Sequence, residues 1–255
     1  MAYNPKITRW HGKTVWLIGA STGIGEALAH DLCAAGATVV LTARSADKLA
    51  LLAAQLPRSV PLAVDFTDAP ALALAWSTLV GTVGVPDVTL INAGTYVAMP
   101  AKRFDAAGAQ HQFEVNIGGP LKVLHHVLPA YTQGRCGHIV LVSSVAGYRG
   151  LPRALAYGGS KAALTYIAQT LYLELAHQGT AVTVVCPGFV KTPLTAGNNF
   201  DMPALQTPAQ ASAAVLKGLA KGQFEIHFPK RFTLFLKLLS WLPFWAYVKL
   251  VRRTV

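Results

Sequence analysis

Residues 14–25 read TVWLIGASTGIG and contain the transition that decides the fold. The run 14–18 is short and apolar, as in a buried strand, and residues 26–35 have the pattern of a helix. The glycines between them permit a tight turn and let backbone N–H groups approach a phosphate, which the N-terminus of the helix also favours. A strand, a glycine-rich turn and a helix in this order predict a unit that binds the pyrophosphate of a dinucleotide.

A second group of residues has the composition of a proton-transfer site. The run 137–142, GHIVLV, predicts a buried strand, and Ser144 follows its end. Tyr157 and Lys161 are four residues apart, so their side chains share one face if this segment is helical. A hydroxyl, a phenol and an ammonium placed in this way can converge on one carbonyl group.

These three side chains suit acid–base work on such a carbonyl. A phenol titrates near pH 10 in model peptides, so proton exchange near neutrality requires about 4 kcal/mol of stabilisation of its anion. One ammonium at ~4 Å supplies about that much at an effective dielectric constant of ~20. We therefore expect Lys161 to lower the pKa of Tyr157, and Ser144 to donate a hydrogen bond to the developing oxyanion.

Five separated motifs follow one another in a characteristic order. They are the glycine turn, Asn92-Ala93-Gly94, Asn116, Ser144 with Tyr157 and Lys161, and Pro187-Gly188 with Thr192. In this order they resemble the short-chain dehydrogenase/reductase family over roughly residues 13–195. Two positions depart from the family pattern, since Ile18 stands where threonine is usual and Ile91 replaces a common asparagine. Neither departure removes a catalytic group.

The resemblance implies a role for each motif. Asn116, Ser144, Tyr157 and Lys161 match the family's catalytic tetrad. Asn116 is expected to hold a water that connects Lys161 to solvent, and Lys161 is expected also to bind the nicotinamide ribose. Asp65 matches the acid that contacts the adenine, and the motif at 187–192 matches the one that holds the nicotinamide amide.

The end of the second predicted strand, residues 37–42, bears on the choice of cofactor. An acid there binds the ribose 2′-hydroxyl of NAD, whereas an arginine accommodates the 2′-phosphate of NADP. Ala43 stands in the acid's place and Arg44 follows. We predict a preference for NADP(H); a merely solvated Arg44, and use of NAD(H), are the alternatives. The predicted cofactor-binding residues are Gly19, Ser21, Thr22, Gly23, Ile24, Gly25, Arg44, Asp65, Phe66, Asn92, Ala93, Gly94, Tyr157, Lys161, Pro187, Gly188, Val190 and Thr192.

Strand patterns alternate with helical patterns along the whole chain. They predict a single α/β domain, with a doubly wound, Rossmann-like, seven-stranded and mostly parallel sheet, helices on both of its faces, and a C-terminal helical tail. The domain is expected to span residues 1–230 and the tail residues 231–255. The remaining strands are predicted at 59–64, 88–91, 181–185 and 225–228.

Three connecting segments carry further predictions. Residues 104–132 are a long helical region, expected to be interrupted near 118–120. The longest charge-free run, residues 69–86, predicts a buried helix and its exit loop and not a membrane span, because it contains two prolines and two glycines. Residues 193–207 predict a lid over the substrate.

Composition excludes several classes of protein. Cys33, Cys136 and Cys186 are few and lack C-x-x-C spacing, which favours a reducing compartment without disulfides. Residues 1–12 lack the apolar core of a secretory signal, so export is not expected. Adjacent His125 and His126 point about 100° apart on a helix, so no metal site is predicted.

The tail concentrates the positive charge. The chain has 22 Lys and Arg against 11 Asp and Glu, a net charge of +11. Residues 217–255 hold eight of the cations and one acid, Glu225, so this segment alone contributes +7. Residues 232–251 are long enough to span a bilayer but are interrupted by Lys237, Pro243 and Lys249. A helix lying among lipid headgroups is the favoured interpretation; packing on a neighbouring subunit, covering the substrate cleft and a true span are the alternatives.

The sequence thus predicts an oxidoreductase that interconverts a ketone or aldehyde with an alcohol, using NADP(H). The substrate is expected to be a lipophilic small molecule, and the chain to form a homodimer or homotetramer in the cytoplasm, with possible contact of residues 231–255 with the cytoplasmic membrane face. Long helices at 104–132 and 157–177 are the expected subunit contacts. A catalytically silent dinucleotide-binding regulator is the alternative function. Nucleic acid is not expected as a partner, since the basic residues are interleaved with apolar aromatic ones.

Overall fold

A seven-stranded sheet forms the centre of the domain. The computed structural model describes residues 3–134 and 137–251, and in these ranges it has seven strands in the order β3-β2-β1-β4-β5-β6-β7. All six neighbouring pairs are parallel, which confirms the predicted fold class. The strands are β1 Thr14–Ile18, β2 Thr38–Ala43, β3 Ser59–Ala63, β4 Val88–Ile91, β5 His138–Val142, β6 Ala181–Pro187 and β7 Glu225–Phe228.

Helices alternate with the strands and lie on both faces of the sheet. They are α1 Gly23–Ala34, α2 Ala46–Ala53, α3 Ala69–Val83, α4 Ala106–Phe113, α5 Gly119–Thr132, α6 Leu155–Leu175, α7 Pro208–Ala220, α8 Lys230–Trp241 and α9 Phe244–Val251. A π-helical segment, Glu114–Gly118, joins α4 to α5. Short 3-10 turns form at Ala101–Arg103, Val145–Gly147 and Ala176–Gln178.

A hydrophobic core lies on each face of the sheet, and the side chains of β1 contribute to both. Successive side chains of a strand point to opposite faces, and here both faces are covered. Val15 and Leu17 enter the core beneath α1, α2 and α7, whereas Trp16 and Ile18 enter the core beneath α3, α5 and α6. All four are at most 1% exposed. The indole N–H of Trp16 donates to the Thr42 hydroxyl at 3.0 Å, so burial leaves no unpaired donor there.

The strand order places the site. The chain moves outward from β1 in one direction through β2 and β3, and then returns to build β4 to β7 on the other side. At this reversal the loops after β1 and β4 diverge to opposite faces and leave a crevice at the carboxyl ends of the strands. The glycine turn follows β1 and Asn92-Ala93-Gly94 follows β4.

Two local predictions need correction. The helix at 69–83 is not buried: Leu72, Ala75 and Leu79 form a single buried stripe, while Leu74 is 71% exposed. Sequence composition predicts burial because the segment lacks charge, yet its outer side consists mainly of small Ala, Ser, Thr and Gly residues together with Leu74. The helical region expected at 104–132 begins at Ala106, and it continues through the π-helical segment instead of breaking at 118–120.

The tail forms α8 and α9, which fold back onto the domain. α8 contacts β7, and the inner side of α9 reaches the segment after Val145–Gly147, where the Tyr247 hydroxyl donates to Gly150 O at 2.6 Å. The inner side of the tail thus packs against its own domain. Within the described residues, none of the helices has the length and apolarity needed to cross a bilayer. Residues 252–255 of the predicted tail and Cys136 lie outside the described residues.

Candidate active site

The glycine turn packs directly against the loop after β4. Gly19 has φ +87°, and a Cβ there would lie 2.6 Å from the backbone nitrogen of Ala93. A Cβ at Gly25 would lie 1.9 Å from the carbonyl oxygen of Gly19. The same oxygen accepts a hydrogen bond from Asn92 Nδ2 at 2.9 Å. Only residues without side chains fit at these two positions, so the two predicted motifs form one surface.

The loop after β6 closes the same space from the other side. Gly23 has φ +61°, and a Cβ there would meet Thr192 Cγ2 at 2.8 Å. The three loops enclose a cavity of about 700 Å³. Of the predicted cofactor-binding residues, every one lines this cavity except Gly25, whose role is the packing just described. A cavity of this size, with a backbone cradle at a helix N-terminus, fits a dinucleotide.

Ser144, Tyr157 and Lys161 meet at the inner end of the cavity. Ser144 follows β5, accepts a hydrogen bond from Ala146 N at 3.1 Å and is 8% exposed. Lys161 is 3% exposed, and its Nζ donates to Val142 O at 2.9 Å and lies 5.8 Å from the centre of the Tyr157 ring. The ring of Tyr96 stands edge-on to that of Tyr157, with 4.9 Å between centroids. The predicted convergence of hydroxyl, phenol and ammonium is present.

The electrostatics differ from the prediction. Burial raises the pKa of Tyr157, and the hydrogen bond with Ser144 offsets this only in part. Burial also lowers the pKa of Lys161 to about 8. The expected lowering of the Tyr157 pKa by Lys161 is therefore not found, because desolvation acts on both side chains and the ammonium is held by a backbone carbonyl. The phenol is protonated at neutral pH.

Asn116 is completely buried in the π-helical segment. Its Oδ1 accepts from Thr95 N at 2.9 Å, while Nδ2 donates to Thr95 O and to Ser160 Oγ, both at 3.0 Å. A Cβ built on Gly94 would meet both Asn116 Oδ1 at 3.1 Å and Lys161 Nζ at 3.3 Å. The wide π turn thus aims the amide at the loop after β4, next to the lysine. Asn116 does not itself line the cavity.

The outer end of the cavity carries the charged residues. Arg44 follows β2, and Asp65 follows β3, with its Oδ1 accepting from Thr67 N at 3.0 Å and from Thr67 Oγ1 at 2.7 Å. Burial raises the pKa of Asp65, but these hydrogen bonds and the charges of Arg44 and His111 outweigh it and leave the pKa below its ordinary value. Asp65 is therefore ionised at neutral pH, so it is an acceptor for N–H or O–H groups.

Several residues of the cavity were not predicted from sequence. Lys48 lies in the first turn of α2, one turn beyond Arg44, and its spacing could have signalled a second cation at this end. His111 and Val115 reach the cavity from the α4 side, which only the three-dimensional fold brings close. The full set is Ile18, Thr42, Ala43, Ser45, Lys48, Val64, Thr67, Thr95, His111, Val115, Val142 and Ser143, with Pro193, Leu194 and Thr195 at the start of the predicted lid.

The predicted lid is a loop pinned at its base. Lys191 N donates to Gln206 O at 2.8 Å, and Gln206 N donates to Phe189 O at 3.0 Å. The ring of Phe200, inside the loop, packs edge-on against Phe189 with 5.8 Å between centroids. The loop is thus fixed at both ends and long between them, as a lid over the substrate would be. Its movement stays a prediction.

The histidine pair takes part in packing. The ring of His126 stacks on Trp76 with 6.1 Å between centroids, and the rings of His125 and His126 are nearly perpendicular at 76°. In the ranges 3–134 and 137–251 there is no group of three or more His, Cys, Asp or Glu side chains placed to hold a metal ion.

Comparison with known proteins agrees with this architecture. Residues 13–202 match the family model described as short chain dehydrogenase. An uncharacterized oxidoreductase of Myxococcus xanthus is 35% identical over 221 residues, which cover 85% of this chain and 87% of the relative. The ketoacyl reductase HetN of Nostoc is 30% identical over 228 residues, covering 86% of this chain and 79% of the relative.

Among solved structures, a short chain dehydrogenase from Burkholderia cenocepacia, in complex with NADP, superposes with a TM-score of 0.84 at 25% identity. The likeness covers 96% of this chain and 99% of that one. The fold and site define an α/β oxidoreductase with a dinucleotide-binding crevice. The chain belongs to the short-chain dehydrogenase/reductase family, whose members act on the CH–OH group of donors with NAD(P)⁺ as acceptor.

Replacing Gly25 by alanine tests the packing of the glycine turn. The added methyl group would lie 1.9 Å from a backbone oxygen that cannot rotate away, so we expect a loss of about 1–3 kcal/mol in stability and weakened NADPH binding. Gly81→Ala is the matched control, because it has nothing within 4 Å and lies in the exposed side of α3. It should stabilise the protein by about 0.5–1 kcal/mol. Thermal unfolding and NADPH fluorescence titration measure both, and equal behaviour of the two variants would contradict the packing argument.

Proposed function

We propose that the protein is an NADP(H)-dependent oxidoreductase that interconverts a lipophilic ketone or aldehyde with its alcohol. The observation that carries the proposal is the meeting of Ser144, Tyr157 and Lys161 at the inner end of a cavity whose outer end holds Arg44 and Lys48. Hydride transfer needs a dinucleotide and a proton donor in one enclosed space, and the cavity offers a place for both.

The residues divide the chemistry of reduction between them. When bound, NADPH supplies a hydride to the carbonyl carbon. The Ser144 hydroxyl hydrogen-bonds the carbonyl oxygen as negative charge develops on it, and the Tyr157 phenol donates its proton to that oxygen. The raised pKa of Tyr157 keeps the phenol protonated before the step. Lys161, beside Asn116, is the side chain through which a proton returns to Tyr157.

Tyr157→Phe tests the assignment of the acid. Turnover of a ketone panel with NADPH should fall by about 10²–10⁴-fold, the usual contribution of a general acid, while NADPH still binds. Tyr166→Phe is the control, since Tyr166 lies on the same helix and is 71% exposed. Because the phenol must be protonated in reduction, wild-type reduction should decline, and alcohol oxidation should rise, as the pH approaches the Tyr157 pKa.

The alternative function, a catalytically silent dinucleotide-binding regulator, makes a different prediction for the same assay. A regulator would bind NADPH tightly and oxidise it with no member of the ketone panel, even in a single turnover. The complete set of Asn116, Ser144, Tyr157 and Lys161 favours the enzyme. If single-turnover experiments show no oxidation with any carbonyl, the regulator becomes the better interpretation.

The preference for NADP(H) is supported by two cations at the end of the cavity where the ribose would lie. Arg44 lies just beyond β2 and Lys48 one helical turn further along the chain, and both line the cavity. No acid stands at position 43 to bind a ribose 2′-hydroxyl. A guanidinium and an ammonium favour a 2′-phosphate.

Arg44→Ala should raise the dissociation constant for NADPH by about 10- to 100-fold, as expected for a lost charge-assisted pair, and leave that for NADH nearly unchanged. Fluorescence titration with both nucleotides measures the ratio. Arg58→Ala is a control for loss of one positive charge, since Arg58 is exposed and does not line the cavity. Equal specificity constants for the two nucleotides in the wild type would contradict the preference.

The proposal of a lipophilic substrate rests on the outward face of the tail. This face consists of Leu234, Phe235, Leu238, Trp241, Phe244, Trp245 and Leu250, which are 48–85% exposed. In an ordinary surface helix the apolar stripe faces the core. In α8 apolar side chains also face outward, while Thr233 and Lys237 point inward and bond His227 and Glu225, and Phe232 packs on Phe189.

An anionic bilayer is the partner that suits this outward face. No acidic residue follows Glu225 in the sequence, and Lys230, Arg231 and Lys249 are exposed on the same two helices as the aromatic rings. Exposed tryptophans next to basic residues are typical of helices that lie at the headgroup level. A ketone dissolved in the membrane would then reach the enzyme at its surface. The cytoplasmic face of a membrane, which carries anionic lipids, is the proposed location.

Trp241→Ala combined with Trp245→Ala should weaken binding to vesicles of phosphatidylcholine and phosphatidylserine by at least about tenfold. Co-sedimentation measures this binding, and Leu74→Ala, which removes an equally exposed apolar side chain from α3, is the control. Long-chain ketones should be preferred over short ones, and vesicles should increase their turnover. If vesicles change neither turnover nor chain-length preference, the lipophilic substrate is wrong.

Assembly as a homodimer or homotetramer is also proposed. Leu121 on α5 and Leu173 on α6 are exposed, by 48% and 77%, on the two long helices that the sequence marked for subunit contacts. Exposed apolar side chains on neighbouring helices are typical of such contacts. Light scattering in the absence of vesicles measures the assembly state.

A further inference from the structure

The segment Tyr148–Ala154 connects the two catalytic elements. It begins directly after the 3-10 turn that follows Ser144 and ends where α6, the helix of Tyr157, begins. The segment thus joins the element that carries Ser144 to the helix that carries Tyr157. Its backbone has little regular hydrogen bonding of its own, so its position depends on what it contacts.

Arg149 is the main contact of this segment with the tail. Its Nη1 donates to three carbonyl oxygens at the end of α8: Leu239 O at 3.3 Å, Ser240 O at 2.9 Å and Leu242 O at 2.6 Å. The last carbonyls of a helix have no partner within the helix, and α8 has no glycine to close its end. The guanidinium of Arg149 therefore acts as the C-terminal cap of α8.

The start of α9 encloses the same arginine. The guanidinium lies over the Tyr247 ring at 4.3 Å from the centroid and near the Phe244 ring at 5.8 Å. Tyr247 is 5% exposed, and its hydroxyl donates to Gly150 O at 2.6 Å. The turn between α8 and α9 is thus built around a side chain that belongs to the catalytic segment.

A second anchor lies one residue earlier. The Tyr148 hydroxyl donates to Glu225 Oε1 at 2.6 Å, and Lys237 Nζ of α8 donates to Glu225 Oε2, also at 2.6 Å. Burial raises the pKa of Glu225, but the bonds from Lys237 and Tyr148 outweigh it and keep the carboxyl ionised. The second half of α8 is therefore attached to the segment between Ser144 and Tyr157 at two points, through Glu225 at Lys237 and directly at the carbonyl groups that Arg149 binds.

The far end of the segment is strained and touches the substrate side. Arg153 has φ +64°, a left-handed conformation that a non-glycine residue keeps only when its surroundings fix it. Its carbonyl oxygen accepts from Met99 N at 2.8 Å. Met99 continues the loop of Tyr96, whose ring stands against Tyr157. A chain of contacts therefore runs from α8 and α9 to the phenol.

We infer that Arg149 is a positioning residue for the reaction, and that the tail is a structural part of the catalytic site. Arg149 fixes the segment 148–154 from outside, so that Ser144 and Tyr157 keep the separation that proton donation requires. It does not touch the nucleotide cavity, so it acts on turnover and not on cofactor binding. The inference rests on the proposed reductase function.

Steady-state kinetics on Arg149→Ala, with a soluble ketone and without vesicles, tests the inference. We expect kcat to fall by about 10- to 100-fold, the effect of a small misplacement of catalytic groups, while the dissociation constant for NADPH stays within about twofold of wild type. Arg149→Lys keeps the positive charge but loses the planar guanidinium group. Its kcat should therefore lie between those of Arg149→Ala and wild type. Arg9→Ala, an exposed arginine outside the tail and the cavity, should leave both quantities unchanged.

Tyr247→Phe keeps the inference testable if Arg149→Ala does not fold. It removes only the hydroxyl bonded to Gly150 and should lower kcat by a smaller factor, about threefold, for the loss of one hydrogen bond. Amide hydrogen exchange supplies a readout that needs no turnover. The backbone N–H of Met99, which donates a hydrogen bond to Arg153 O, should exchange faster in Arg149→Ala than in wild type.

The outcomes separate the two proposals. A wild type that reduces neither ketones nor aldehydes refutes the proposed function. An active wild type whose Arg149→Ala variant keeps full kcat and unchanged exchange at Met99 overturns the positioning role. So does a variant in which NADPH binding and kcat fall by the same factor, since that result marks a general loss of structure.

Discussion

The close approach of two backbone segments is the constraint on which the site depends. Gly19 and Gly25 leave no room for a side chain between the turn after β1 and the loop after β4, and Asn92 joins them by a hydrogen bond to Gly19 O. Because the two loops touch, the crevice at the reversal of strand order becomes a closed cradle with N–H groups on its wall. Everything that binds or reacts in the cavity is placed relative to this contact.

Burial is the second constraint, and it acts against the charges that the site needs. Lys161 is buried and Tyr157 is half-buried, and desolvation lowers the pKa of the amine and raises that of the phenol. A pair of this kind is set for proton donation by a neutral phenol. Added positive charge near the phenol would stabilise its anion, so the protonation of the site responds to what occupies the cavity.

The fold and the cavity were largely predictable from sequence because their signals are local. Strands of β-branched residues, a glycine turn and motifs at strand ends each report on their own surroundings, and all seven strands were found within a few residues. The pKa of Tyr157 was not predictable, since it depends on burial by residues far apart in the chain. Nor was the exposure of α3, because the absence of charge does not distinguish a buried helix from one whose outer side is Ala and Thr.

The contacts of Arg149 could not be predicted from the sequence either. Nothing in its neighbourhood, Gly147-Tyr148-Arg149-Gly150, distinguishes it from a solvated arginine, and its contacts exist only because α8 ends about ninety residues later at carbonyl groups that the guanidinium reaches. The outward apolar face of α8 is related to contacts on the opposite side of the helix, where Phe232 packs on Phe189. Inward hydrogen bonds at Thr233 and Lys237 fix the helix to the catalytic domain, and its leucine and tryptophan side chains are then left on the outside. Because polar contacts and one aromatic pair hold its inner side, α8 keeps an apolar outer surface for a partner. The attachment of α8 to the segment between Ser144 and Tyr157 connects that surface to the reaction.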